Sequence, residues 1–121
     1  MADRGYSRNS RLLNAADYHA VFTKAQFKAS CRYFLVLAIT NELDSPRLGL
    51  VVAKKNVSTA VQRNRIKRQI RESFRNSQEL LTKLDLVVLA RKDADKLDNK
   101  LLAQKMNALL QALNTKLKQA H

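Results

Sequence analysis

The sequence predicts an α+β domain in which helices pack on one small sheet. Three observations predict it. Residues 32–40 (RYFLVLAIT), 47–53 (RLGLVVA) and 85–90 (DLVVLA) are short apolar runs of the kind that form strands. Stretches 58–75 and 98–117 carry apolar residues at helical spacing and contain neither Gly nor Pro. A chain of 121 residues, 45% of them hydrophobic, is long enough for one real core and is not compositionally disordered. The reading is one domain over residues 1–121.

Residues 1–11 (MADRGYSRNSR) read as a flexible basic arm and lack the apolar centre of a signal peptide. Tyr6 within it either docks on the body or stacks on a base. Asn14 is a good N-cap for a helix through Lys24, with Asp17 at N3 and Leu13 with Tyr18 as a hydrophobic staple. Tyr18, Val21, Phe22 and Ala25 make its apolar stripe. A short strand at 26–30 precedes the stronger one at 32–40, which is apolar on both faces. Residues 41–46 (NELDSP) hold the only Pro and form a turn, so the strand at 47–53 is antiparallel to the last if that turn closes a hairpin. Gly49 inside it calls for close approach by another segment.

Ser58 or Thr59 caps the next helix, which runs to about residue 78; Thr59 with Gln62 fits a capping box. After a connection at 79–83, the strand at 85–90 is too apolar for an exposed edge. Residues 91–96 form a loop. Asp98 caps the last helix, with Leu97 and Leu102 as its staple. Leu102, Met106, Leu109, Leu110, Leu113 and Leu117 form a core-facing stripe; two to three heptads are too few to favour a coiled-coil dimer. The order is α-β-β-β-α-β-α, with a crossover through the second helix.

The charge is large and uneven. Lys and Arg number 23 against 10 Asp and Glu, for a net charge of +13. Residues 54–75 alone hold eight cations and one acid. On a helix, Asn64, Arg68, Arg71 and Arg75 fall on one stripe, flanked by Lys67 and Arg65, while Ile66, Ile70 and Phe74 fall on another face. Like charges on one stripe repel, and Glu72 relieves only Arg68 and Arg75, by about 0.2–0.5 kcal/mol per pair. Such a stripe calls for a polyanion, and guanidinium forks suit phosphate.

Other functions find little support. No apolar run reaches the roughly 18 residues of a transmembrane helix. The single Cys31 makes no internal disulfide, in keeping with a reducing cytosol. His19 and His121 lack ligand-spaced partners, and the two glycines, Gly5 and Gly49, make no phosphate-cradling loop. Asp93, Asp95 and Asp98 lack the Gly and distal Glu of a calcium loop and read as a turn plus helix N-terminal acids. From composition alone, a structured-RNA-binding module such as a ribosomal protein or RNA chaperone fits as well as a nuclease subunit. A DNA-binding protein fits less well, because the basic helix has no helix-turn-helix partner.

Arg63-Asn64-Arg65, then Lys67-Arg68, Arg71-Glu72 and Phe74-Arg75, preceded by Lys54-Lys55 and Ala60-Val61, resembles the signature of the bacterial ribonuclease P protein subunit. The resemblance spans about residues 11–117 and is sharpest over 47–75. It implies a four-stranded sheet like that of the second domain of ribosomal protein S5, with a left-handed crossover where the usual rule gives the right hand. It implies removal of the 5′ leader of precursor tRNA in the cytoplasm, with catalysis in the RNA subunit, Mg²⁺ held mainly by that RNA, and no catalytic residue in the protein. The implied partners are ribonuclease P RNA and precursor tRNA, with no membrane and no obligate protein partner. Carried over position by position, Lys54, Lys55, Arg63, Asn64, Arg65, Lys67, Arg68, Arg71 and Arg75 contact or shape the RNA site. Tyr18, Phe22 and Lys54 would line a cleft for the single-stranded leader. Either Tyr33, Leu35 and Leu37 or Phe34 and Val36 face that cleft; both faces of the strand are apolar. Two positions depart from the family pattern: Tyr18 stands where Phe is frequent, and Ala25 where Gly is frequent.

Overall fold

The computed structural model describes residues 11, 14–43, 45–81 and 83–120. Tyr6 and most of the basic arm, the Leu13 half of the first staple, and His121 lie outside them. Three helices and four strands follow in the expected order: α1 (Ala15–Lys24), β1 (Phe27–Ser30), β2 (Phe34–Thr40), β3 (Arg47–Val51), α2 (Ala60–Asn76), β4 (Leu84–Ala90) and α3 (Asn99–Gln119). A short 3₁₀ turn, Ala94–Lys96, lies within the loop before α3.

Each helix starts at a side-chain cap. The Asn14 side chain accepts from the Asp17 amide at 2.9 Å, Thr59 Oγ1 from Gln62 at 3.3 Å, and Asp98 Oδ1 from Leu101 at 2.8 Å. Leu97 and Leu102 are buried together as the last staple requires. The capping box of α2 is only half made, because the Gln62 amide oxygen is taken by Arg65. Helix α1 ends at Ala25 with φ −51° and ψ 124°, extended backbone that needs no glycine.

The sheet order is β1-β2-β4-β3. Strands β1 and β2 are antiparallel, as are β2 and β4, while β3 lies parallel to β4. The expectation that the turn at 41–46 closes a hairpin is therefore corrected: β4 is inserted between β2 and β3, and the turn passes over its beginning. Burial gives the reason. Strand β4 is the most fully buried of the four, so it gains most from the centre, where both faces and both edges are covered.

Polar contacts fix the spanning turn. Asn41 donates its backbone N–H to the Lys83 carbonyl at 2.7 Å, accepts from Leu43 N–H through its side-chain oxygen, and donates its amide to Asp85 Oδ1 at 2.7 Å. Arg47 grips the same carboxylate with both arms of its fork, Nε to Oδ1 at 2.9 Å and Nη2 to Oδ2 at 2.7 Å. Arg47 and Asp85 are register partners of the parallel pair. Asp17 of α1 reaches the same guanidinium at 3.8 Å. Hydrogen bonding to Asp85 raises the Arg47 pKa above the ordinary arginine value; burial opposes this and the Asp85 and Asp17 charges add to it. The sign means this stabilisation is fully present below the ordinary arginine value and is lost only in strong alkali, so the arginine gives no pH dependence near neutrality.

The main core lies on the face of Phe34, Val36 and Ala38, beneath α2 and α3. It takes Ile66, Ile70 and Phe74 from α2 and Leu102, Met106, Leu110 and Leu113 from α3. The α3 stripe is thus spent within the chain. A smaller cluster on the other face gathers Val21 and Tyr18 of α1 with Val87, Leu37 and Ile39. The free edge of β3 is partly satisfied: Arg11 bridges to Leu48, and the Leu50 amide donates to the Tyr18 hydroxyl at 3.2 Å. Gly49, beside that amide and opposite Val87, leaves the tyrosine room to approach.

Removing the Asp85 carboxylate takes the main partner from a half-buried arginine and leaves it, among the described acids, only Asp17 at 3.8 Å. Asp85→Ala is expected to lower the unfolding free energy in urea by about 1–3 kcal/mol, and Asp85→Leu combined with Arg47→Met to recover most of that loss. A loss below about 1 kcal/mol for the single change would show that the parallel register is held elsewhere.

Candidate nucleic-acid interface

Helix α2 is held on the core by Ile66, Ile70 and Phe74, all buried and each contributing about 1.5–3 kcal/mol by leaving water. That docking fixes which way its cations point. Asn64 and Arg68 are exposed and Lys67, Arg71 and Arg75 half-buried, so the predicted stripe lies on the side turned from the core. Arg75 pairs with Glu72 one turn back through Nε to Oε2 at 3.2 Å and Nη2 to Oε1. The hydrogen bond from Arg75 holds the Glu72 carboxyl below its ordinary value. The acid therefore relieves Arg75 and not Arg68.

Two of the predicted cations turn elsewhere. Arg63, three residues before Ile66, lies on the core side of the helix and donates Nη1 to the Val57 and Ser58 carbonyls at 3.1 and 2.9 Å. It braces the entry loop. Arg65 lies on the flank facing α3, where Nε donates to Gln62 Oε1 at 2.8 Å, Nη1 to Asn99 Oδ1 at 2.8 Å and Nη2 to the Asp95 carbonyl at 3.0 Å. Helical spacing could not reveal these contacts, because their acceptors lie in the entry loop and in a different helix.

Lys54 and Lys55 are exposed in the turn after β3. This turn is anchored by Asn56, which donates its side-chain amide to the Ala90 carbonyl at 3.0 Å, and by buried Val57. The lysines thus stand at the end of the sheet where β4 finishes, next to the start of α2.

The other predicted surface lies between α1 and the sheet. Leu37 and Ile39 face α1, as do Val87, Leu89 and Val51, and alternation puts Leu35 with them. Phe34 and Val36 lie on the opposite face in the main core, which settles the alternative left open by the strand's two apolar faces. Tyr33 precedes the strand and joins the main core, with the Arg32 guanidinium 5.4 Å from its ring centroid. Tyr18 is half-buried, with its ring in the smaller cluster and its hydroxyl on the β3 edge. Phe22, one turn on, leaves 43% of its surface exposed, unusual for so large an apolar side chain.

Among the described residues no three His, Cys, Asp or Glu side chains gather where a metal ion could sit. Asp98 is spent as a cap. Asp93 is engaged by Lys96 at 3.2 Å and Arg32 at 3.4 Å, and hydrogen bonding from Lys96 first, then Arg32, lowers its pKa. What Asp93 contributes is present at neutral pH and lost as pH falls through its lowered value. His19 is exposed on α1 and Cys31 is a free, half-buried thiol. No described helix is long and apolar enough to cross a membrane. The arrangement offers a charged stripe on a core-docked helix and, on α1, an exposed aromatic ring one turn from a tyrosine packed on the sheet.

Comparison with known proteins identifies the family. The Ribonuclease P family model matches residues 6–114. The ribonuclease P protein component of Ectopseudomonas mendocina is 50% identical over 113 residues, covering 93% of this chain and 84% of its own. The solved RNase P protein of Staphylococcus aureus superposes with a TM-score of 0.79 at 32% identity, over 85% of this chain and 94% of that one. The RNase P protein of Thermotoga maritima gives a TM-score of 0.71 at 32% identity, over 84% and 96%. With the family model spanning most of its length and half its residues shared with a relative, the chain belongs to the ribonuclease P protein family, and with it to tRNA processing.

Proposed function

We propose that this chain holds ribonuclease P RNA through the outer face of α2 and the Lys54-Lys55 turn, and takes the 5′ leader of precursor tRNA into the cleft beside α1. The observation that carries the reading is the outward row of exposed Asn64 and Arg68 with half-buried Lys67, on a helix whose opposite face is locked into the core. A helix already docked on its core presents these groups from fixed backbone positions, so no binding energy goes into ordering the helix itself. Asn64 is the uncharged member, able to donate and to accept, and suits a 2′-hydroxyl or base edge. Arg65 adds its remaining N–H groups from the α3 flank, and Arg63 shapes the site from within.

In the cleft, Phe22 supplies a stacking face at its mouth and Tyr18 supports it from the wall. Stacking is worth about 1–3 kcal/mol per base and tolerates any sequence, which suits a protein that meets many leaders. Lys54 adds charge for the leader backbone. Cleavage belongs to the RNA partner, and so does Mg²⁺. The setting is the cytoplasm, where precursor tRNA is made, and no obligate protein partner is needed.

Two variants test the two surfaces. Arg68→Ala is expected to weaken binding to ribonuclease P RNA and to reduce the slope of log affinity against log salt by about 0.7–0.9, with the melting temperature nearly unchanged. A large fall in melting temperature instead would make Arg68 structural. Phe22→Ala is expected to cost about five- to a hundredfold in affinity for leader-bearing precursor tRNA, and little for mature tRNA, when each is titrated onto the assembled ribonucleoprotein. Equal losses on both would return Phe22 to packing.

A further inference from the structure

We infer that Gln62 and Asn99 are positioning residues that hold the Arg65 guanidinium as a preset fork for RNA. The inference rests on the reading of Arg65 as an RNA contact given above. A free arginine on a helix surface samples many rotamers and gives up that freedom on binding. Arg65 has already given it up. Its Nε and both terminal nitrogens are engaged, by Gln62 one turn back, by Asn99 in the first turn of α3 and by the Asp95 carbonyl in the turn before it. Three directions fix the plane of the guanidinium and not merely its position.

The chemistry of the acceptors matters as much as their number. All three are neutral amide oxygens, which orient the cation without cancelling its charge. Arg47 and Arg75, by contrast, are each gripped by a carboxylate. A guanidinium carries five N–H donors, and three are used here, so two remain for a phosphate or a base edge. Gln62 is diverted to this task, since its side-chain oxygen would otherwise be free to complete the capping box of α2. Asn99 is exposed, and the cap of α3 is supplied by its neighbour Asp98, so the Asn99 side chain is free for Arg65.

The test is a double-mutant cycle on the full chain, read as equilibrium affinity for ribonuclease P RNA at fixed salt. Asn99→Ala alone is expected to weaken binding by about three- to tenfold, the range of one lost hydrogen bond. Its salt slope stays at the parent value, because no charge is removed. In an Arg65→Ala background the same change is expected to cost less than about twofold. Equal losses in both backgrounds, or no loss in the parent, would overturn the inference. If Arg65→Ala itself leaves affinity unchanged, the RNA-contact reading of Arg65 fails and the positioning role falls with it. Should Asn99→Ala unfold the chain, Gln62→Ala runs the same cycle, since that side chain acts within α2 alone and leaves the α3 junction intact.

Discussion

A buried carboxylate at the second position of β4 ties together segments far apart in sequence. Asp85 takes both arms of Arg47 from the first position of β3 and the amide of Asn41 from the turn after β2, while Asp17 of α1 reaches the same arginine. Without that charge pair, nothing in the apolar faces of β3 and β4 would fix their register, because a hydrophobic row slipped by two residues still buries the same face. An ion pair with its carboxylate buried and its arginine half-buried gives little net stability over an apolar substitute, but its misalignment is costly, and that makes it a register device. The pair joins the β3–β4 register, the turn over β4 and α1 at one point.

The crossover decides where α2 sits, and the seat of α2 decides what its cations do. Strand β3 delivers the chain into a turn braced by Asn56 and Arg63, and the helix leaves that turn with Ile66, Ile70 and Phe74 already aimed at the core. The basic run is thereby divided by geometry. Asn64, Lys67 and Arg68 look outward, Arg63 looks inward to the entry loop, and Arg65 looks sideways to α3. Composition alone treats these residues as one patch; the fold gives them different work.

Much of the fold was legible because its signals are local. Caps at Asn14, Thr59 and Asp98, the α3 stripe and the apolar runs depend only on neighbours in sequence, and all stand where expected. Strand order was not local. A six-residue turn after β2 reads as a hairpin until a third strand competes for the central place, and β4 wins that place by burial. Asp85 was the missed clue: a single acid in DLVVLA flags a buried partner, though not which arginine. The outward stripe followed from helical period, whereas the inward turn of Arg63 and the sideways turn of Arg65 depend on acceptors that only the fold brings near. Which face of β2 meets α1 was likewise undecidable from a strand apolar on both sides.

Under the function proposed above, the chain holds RNA on its basic helix while the RNA partner does the cutting. The direct measurement is reconstituted cleavage: the purified chain added to a bacterial ribonuclease P RNA and precursor tRNA, in low Mg²⁺ where the RNA alone is slow. Strong stimulation of correct 5′ cleavage is expected, lost when Arg65 and Arg68 are both changed to Ala in a protein that still folds. Absence of stimulation by the parent chain, with RNA binding intact, would contradict that function and leave a general RNA-binding module in its place.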